Sequence, residues 1–277
     1  MSQESQPVIP YRKHHLESPD FDLREYGNLR SAVVVLARDE CKTIGAIIRD
    51  AMPYAHEIHL MDGHSKDGTG RIAGEAGATV REDPGLGKGS AIRFALGEIR
   101  ADILVLMDGD GSHDPADIPA LVRPLISSHA DLCVGSRFAG GSDELSVDIP
   151  QLIRTIGNIS MNIAVNMRWG VRLTDTLNGF RAVRREAALS VRLRENRHTI
   201  EQEMVMKMLR YGYRVINVPT HEYARIYGKS HINIWREWPI FVGCVLRNVL
   251  LKRPPKGYLP IPPWPVPVHG EPESFAD

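Results

Sequence analysis

The chain has 277 residues, enough for one large domain or two small ones, and its 43% hydrophobic and 25% charged content is that of an ordinary soluble globular protein. Lys plus Arg number 34 and Asp plus Glu number 34, so the formal net charge is zero. That excludes the basic excess of a general nucleic-acid binder, and no nucleic-acid partner is expected. The three cysteines, Cys41, Cys133 and Cys244, are too few and too scattered for a disulfide framework or a zinc cluster, and suit a reducing compartment.

Residues 1–30 are polar, show little periodicity, and read as an N-terminal extension without the apolar core of a secretory signal. A rhythm begins at Ser31. The β-branched run "AVVVLA" (32–37) predicts a buried strand, and 40–52 a helix with Asp39 as its N-cap. "EIHLM" (57–61) is a second strand, 68–77 a short helix weakened by glycine, and 78–80 a third strand. A helix over 87–100 leads to a fourth strand at 102–107. Residues 115–127 are helical, opened by Asp114 before Pro115, and 130–136 form a strand. The second half is less regular. A long helix is predicted over 152–169, then a loop, short strand and helix over 174–190, a helix over 199–212 ended by Gly212, and a strand over 213–219. Pro239 opens a short apolar helix to Leu251, and the proline-rich chain after Lys252 is expected to be extended or disordered rather than packed.

Apolar strands alternating with helices imply an α/β fold, a Rossmann-like, mostly parallel sheet covered by helices on both faces. Ligands in such folds sit beyond the C-terminal strand ends, at a topological switch point. The polar clusters fall there: Arg38 to Glu40 after the first strand, Asp62 to Asp67 after the second, Asp108 to Asp114 after the fourth.

The third cluster, "ILVLMDGDGSHDP" (103–115), turns an apolar strand into three closely spaced aspartates. Turn chemistry and an N-cap account for Asp114 but not for Asp108 and Asp110. A calcium loop fails on counting, because His113 and Pro119 stand where glycine and glutamate are needed. The reading that uses both aspartates is a divalent cation held by Asp108 and Asp110. The glycine-rich "GLGKGS" (85–90) is no P-loop, since Glu82 occupies the required glycine position, and it lacks the dinucleotide spacing.

In order and register, "VVLARDE" (34–40), "MDGHSKDGT" (61–69), "GKGSAIRFAL" (87–96), "MDGDGSHDP" (107–115) and "VGSRF" (134–138) resemble family 2 glycosyltransferases of the GT-A fold. "DTLNGFRA" (175–182), "IEQEM" (200–204), "VINVP" (215–219) and "RIYGKSH" (225–231) are similar to its polyprenyl-phosphate branch, the dolichol-phosphate mannosyltransferase-like enzymes. The resemblance covers about residues 31–232, followed by an amphipathic helix at 233–253 and a proline-rich tail at 254–277.

It implies a metal-dependent (Mg²⁺ or Mn²⁺), inverting transfer of a sugar from a UDP- or GDP-linked donor to a polyprenyl phosphate. A hydroxyl acceptor, or a nucleotide-sugar-binding protein without catalysis, are the rival readings. By the same resemblance Leu36, Ala37, Arg38, Glu40, Lys88, Gly89, Asp108, Gly109 and Asp110 line the donor site, and Asp62 accepts a hydrogen bond from the base. Arg137, Arg225, Lys229 and Ser230 bind phosphates. Asp110, Arg137, Asp175 and Glu203 are the catalytic candidates. Plainer readings stand beside these. Asp62 and Asp67 can shape a turn, Arg137 can cap a strand end, His113 can satisfy a loop carbonyl, and Glu203 can be an exposed residue paired with Lys207 at i,i+4.

A polyprenyl acceptor implies a cytoplasmic protein that is peripheral at the cytoplasmic membrane face, since no run of about 18 apolar residues is present. The segment 239–253 has three readings. It can pack as core, lie in the interface with Trp235, Trp238, Arg236, Lys252 and Arg253 at the headgroups, or dock on a partner such as a second copy, making a homo-oligomer.

Overall fold

A computed structural model of the chain describes residues 21–143, 149–225, 227, 234–250, 254 and 258–264, without side chains for 149–154 and 234–238. In chain order the elements are β1 (Ser31–Ala37), α1 (Ile44–Ala51), β2 (Glu57–Asp62), α2 (Thr69–Glu75), β3 (Thr79–Glu82), α3 (Lys88–Glu98), β4 (Ile103–Asp108) and α4 (Ile118–Ile126). They continue with β5 (Leu132–Ser136), α5 (Arg137–Gly140), α6 (Ile149–Trp169), β6 (Arg181–Arg184), α7 (Arg185–Ser190), α8 (Thr199–Arg210), β7 (Val215–Pro219) and α9 (Ile234–Leu250).

Among the described residues seven strands form one sheet in the order β3-β2-β1-β4-β6-β5-β7. Every pairing is parallel except those of β6, which runs antiparallel between β4 and β5. The expected mostly parallel α/β sheet is therefore present. Every residue of β1 is buried. Ala32, Val34 and Leu36 join the core on one face, while Val33, Val35 and Ala37 join the core on the other, the period-two alternation of a strand. α3, α6, α8 and α9 cover the first face, and α1 and α4 the second. Each fully buried Val or Ile contributes roughly 1.5–3 kcal/mol, which is what holds a strand covered on both sides.

The chain visits β1, β2 and β3 outward in one direction, then returns to place β4 on the other side of β1. This reversal is the switch point, and the C-terminal ends of β1, β2 and β4 meet there. In register, Ala37 pairs with Asp62 and Leu36 with Asp108. Asp114 caps the following turn as expected, its side chain accepting from the Ala116 amide at 2.9 Å.

Several local expectations need correction. Asp39 is not an N-cap: it adopts φ +57° and its Oδ1 accepts from the Lys66 amide, so it ties two loops together while α1 starts only at Ile44. Pro239 lies inside α9 rather than opening it. Packing of Phe241, Cys244 and Val245 into the core outweighs the local cost of proline. Residues 21–30 also pack, with Tyr26 buried and its hydroxyl donating to the Tyr54 carbonyl at 2.8 Å. Among the described residues no helix is long and apolar enough to cross a membrane.

The described part of the proline-rich tail is packed, contrary to expectation. It crosses the end of the sheet opposite the switch point. There Arg184, 2% exposed, pairs with Asp131 at 2.5 Å and donates to the Pro262 carbonyl at 2.7 Å. The Trp264 ring lies 4.6 Å from that guanidinium, and the Trp264 carbonyl accepts from Ser128. Tyr258 shares hydroxyl hydrogen bonds with Ser190 and Tyr213. These residues give a proline-rich, extended segment specific partners that its composition does not announce. Ending the chain at Gly257 strips Arg184 of a buried acceptor and an aromatic cover. It is expected to cost about 2–4 kcal/mol, a fall in Tm on the order of 5–15 °C. Unchanged thermal unfolding would show these contacts to be incidental.

Candidate functional site

The turn after β4 is built for close approach. A side chain at Gly109 would put its Cβ 2.6 Å from that of Ala37, so only glycine lets β4 and β1 end side by side. The Thr43 hydroxyl donates to the Gly109 carbonyl at 2.6 Å and fixes the turn against the start of α1. Asp110 folds back: its Oδ1 accepts from the amide and hydroxyl of Ser112, at 3.0 and 2.6 Å. The His113 ring stacks on Phe180 at 4.9 Å, and its Nδ1 accepts from the Asp108 amide. His113 therefore accepts a hydrogen bond from a backbone amide through Nδ1.

Beyond these strand ends lies a cavity of about 640 Å³, the size of an ordinary small-ligand pocket. Lys88, at the first position of α3, sits between two carboxylates. Its Nζ is 2.7 Å from Asp108 Oδ1 and 2.6 Å from Glu201 Oε1. Burial works against the ammonium, but Asp108 and Glu201 outweigh it and hold Lys88 above its usual range. Burial likewise opposes charge on Asp108, and Lys88 overcomes it, so Asp108 stays ionised below the ordinary carboxylate range. Gly179 makes room: a Cβ there would lie 2.8 Å from Lys88 Nζ and 3.0 Å from Asp108 Oδ2.

Two arginines occupy the other wall. Arg225 reaches Asp110 Oδ2 at 2.7 Å and Glu40 Oε1 at 3.4 Å. Arg137, opening α5, is gripped by Asp175, with Nε to Oδ2 at 2.7 Å and a second contact at 3.1 Å, and lies 3.6 Å from Glu222. Burial raises the Glu40 carboxyl to about 7, Arg225 pulling it back and the neighbouring aspartates adding to the rise.

Leu36, Ala37, Arg38, Glu40, Lys88, Asp108, Gly109, Asp110, Arg137 and Arg225 line this cleft. Four other predicted residues do not. Asp62 turns away, its Oδ1 accepting from the Ser65 amide and hydroxyl, the turn-forming alternative. Gly89 is a packing glycine whose Cβ would fall 2.4 Å from the Glu195 carbonyl. Asp175 is buried behind Arg137 and orients it. Glu203 is buried away from the cleft, neither exposed nor a candidate for the reaction. One oxygen accepts from the amides of Arg194 and Glu195 and the other pairs with Lys207. Lys229 and Ser230 lie outside the described residues.

The cleft carboxylate of that stretch is Glu201, two positions earlier, which the sequence reading passed over. Glu222, His198, Asn158, Met161 and Phe241 also line the cleft without having been singled out. The available signal for Glu201 was Lys88, a lysine that needs anionic partners once buried at the start of α3.

Six carboxylates (Glu40, Asp83, Asp108, Asp110, Glu201 and Glu222) face four cations (Arg38, Lys88, Arg137 and Arg225) in the described lining. Among the described residues no three His, Cys, Asp or Glu side chains cluster into a metal cage. A cation shared with substrate oxygens needs only one or two protein carboxylates, and Asp110 Oδ2, paired with Arg225 at 2.7 Å, meets that lesser demand by exchanging the guanidinium for the cation.

Residues 32–191 match the family described as Glycosyl transferase family 2. The chain is 33% identical over 192 residues to the glycosyltransferase AglJ of Haloferax volcanii, covering 68% of this chain and 61% of that protein. It is 30% identical over 207 residues to undecaprenyl-phosphate mannosyltransferase of Micrococcus luteus, covering 69% and 81% of the two. Among solved structures it is similar to glucosyl-3-phosphoglycerate synthase from Mycobacterium tuberculosis in complex with Mn²⁺, UDP and phosphoglyceric acid. The TM-score is 0.67 and the identity 20%, over 84% of this chain and 82% of that one. The same enzyme with Mg²⁺ and UDP superposes with a TM-score of 0.65 at 20% identity, over 84% and 83%. At that identity the likeness concerns the fold.

The raised Glu40 carboxyl has a consequence for pH. Its folded pKa, about 7, lies above the ordinary value of 4.5, so the folded state holds its proton more tightly and this group favours unfolding as pH rises through neutrality. Glu40→Gln removes that dependence. Relative to wild type, the Gln variant is expected to gain Tm from pH 5 to about pH 7 and to level off above that. A constant difference across that range would contradict the burial of this charge.

Proposed function

The chain belongs to glycosyl transferase family 2, and from that premise we propose that it transfers a sugar from a UDP- or GDP-linked donor to a polyprenyl phosphate, with Mg²⁺ or Mn²⁺ bound. The observation that carries the reading is the charge balance of the cleft. With six carboxylates against four cations in its described lining, it is net negative before an anionic nucleotide sugar enters. A divalent cation cancels that excess of two negative charges. Asp110 would hold it through Oδ2, with Ser112 beside it, and the donor phosphates and water would complete the shell. When bound, such a cation neutralises charge developing on the departing diphosphate.

The remaining roles belong to the chain's own groups. Lys88, locked between Asp108 and Glu201, keeps those carboxylates from repelling the donor. Arg38 and Ala37 wall the nucleotide side. Arg137, oriented by Asp175, and Arg225 offer planar forks to phosphate oxygens. An acceptor phosphate oxygen forms its bond to the anomeric carbon as the bond from that carbon to the diphosphate breaks. The diphosphate keeps the electron pair, and the configuration inverts. A phosphate monoester is largely ionised at pH 7, its second pKa being about 6, so no general base is required. The similarity to undecaprenyl-phosphate mannosyltransferase supports this acceptor, as do the paired arginines. The work then falls at a membrane surface.

A hydroxyl acceptor is the second reading, favoured by the phosphoglyceric acid bound in structures of the glucosyl-3-phosphoglycerate synthase fold neighbour. That chemistry needs a carboxylate to take the hydroxyl proton, and Glu40 or Glu201 would have to supply it.

Asp110→Asn is expected to keep the wild-type Tm within a few degrees and lose about 10²–10³ in rate, and EDTA should abolish turnover. Full activity in EDTA would sink the metal-dependent reading. Radiolabelled sugar should pass to a polyprenyl phosphate and not to the polyprenol of equal chain length, and Arg225→Ala should lower transfer by on the order of 10². Equal use of the alcohol would favour the hydroxyl acceptor.

A further inference from the structure

Helix α6 presents an unusual outer face. Ile156, Ile159, Ile163 and Met167 are between 42% and 82% exposed, and at about 100° per residue they fall with Ser160 on one stripe roughly 100° wide. From Thr155 to Met167 the helix carries no charge, whereas an exposed helix face in water is ordinarily charged. On α9, which packs against α6, Leu246 and Leu250 are 54% and 71% exposed.

The charges carried by these two helical segments have one sign. No acidic residue occurs from 149 to 172 or from 239 to 253, whereas Arg168, Arg172 and Arg247 do. Arg168 lies over Trp169 and donates to the Val249 carbonyl, joining the two helix ends. Arg172 is exposed, and Arg247 is exposed while paired with Glu195. The inner sides of the same helices line the cleft through Asn158, Met161 and Phe241.

We propose that the outer face of α6, with the exposed end of α9, is a docking surface for an anionic lipid bilayer. The inference rests on the reading of the acceptor as a polyprenyl phosphate, and moves the contact from the segment 239–253 alone to α6. An uncharged apolar stripe with cations and a tryptophan at its border is the pattern that enters an interface rich in anionic headgroups. A second copy of the chain fits less well. Ile156 and Met167 lie about 16 Å apart along the helix, which at a helix width of ~10 Å gives roughly 160 Å², far below the ~800 Å² per partner of a stable dimer. Its cationic border would also face a like border. A lipid-anchored phosphate held against these helices needs only to pass to their inner side to reach Arg137 and Arg225.

The test is co-sedimentation of the full chain with vesicles of phosphatidylcholine mixed with phosphatidylglycerol, at low and high salt. Wild type is expected to bind, more weakly to phosphatidylcholine alone and less at high salt. Ile159→Glu with Ile163→Glu should lower partitioning at least about tenfold, with Tm and the Tm rise on adding UDP or GDP with Mn²⁺ unchanged. Leu189→Glu, on the exposed side of α7, should bind as wild type does. Absence of wild-type binding at low salt, or equal binding by the double variant, overturns the proposal. So does a wild-type dimer that the double variant converts to monomer, or binding that appears only when residues 1–20 or 265–277 are removed. Transfer to polyprenyl phosphate dissolved in detergent separates this inference from the acceptor reading. Vesicle binding without such transfer removes the acceptor and leaves the surface; transfer without vesicle binding does the reverse.

Discussion

A buried ammonium holds the cleft together. Lys88 comes from α3, Asp108 from the end of β4 and Glu201 from the first turn of α8, so one lysine fastens the first and second halves of the chain to each other. Taking such charges from water costs several kcal/mol per ion unless each is paired, and here the pairing is complete only when all three elements are in place. Gly179 leaves the space and Gly89 lets α3 lie against the Glu195 carbonyl. Removing the lysine would leave the Asp108 and Glu201 carboxylates facing each other without their counter-ion, a loss of roughly 3–5 kcal/mol. This wall of the cleft is therefore held by its own ion pairs before any ligand arrives.

The opposite wall is arranged differently. Arg225 divides itself between Asp110 and Glu40, and Glu40 is held near the edge of ionisation. These contacts are exchangeable, since each partner is also a group that a diphosphate, a divalent cation or an acceptor phosphate can engage. Arg137 stands between the two regimes: Asp175 fixes its direction through Nε and Nη2, while Nη1 lies 3.6 Å from Glu222 in the cleft lining. A fixed wall and an exchangeable one suit group transfer, which must hold the leaving diphosphate and admit successive ligands.

Much of this was legible in the sequence because two periodicities are strict. The uninterrupted apolar runs at 32–37 and 103–107 announce strands covered on both faces, and the polar clusters at their ends mark the switch point. The Asp-Gly-Asp turn was legible because ordinary turn chemistry leaves Asp108 and Asp110 over. What the sequence concealed depends on three-dimensional neighbours. Glu201 and Glu203 share one helix and one short motif, and only the lysine they meet, Lys88 or Lys207, decides which enters the cleft. Asp62 and Asp175 carry the chemistry of a site yet spend it on Ser65 and Arg137. The tail from Tyr258 to Trp264 looks unstructured in composition, but Arg184 and Tyr213 give it long-range partners.

A cleft whose described lining is net negative is expected to accept its anionic donor only together with a divalent cation. Calorimetric titration of UDP and GDP into the chain, at one ionic strength, with Mn²⁺ and then with EDTA, tests it most directly. The account predicts that affinity for the accepted nucleotide rises by at least about 10² in Mn²⁺, some 2.7 kcal/mol. Equal affinity in EDTA would show that Lys88, Arg38, Arg137 and Arg225 suffice alone, and would contradict it.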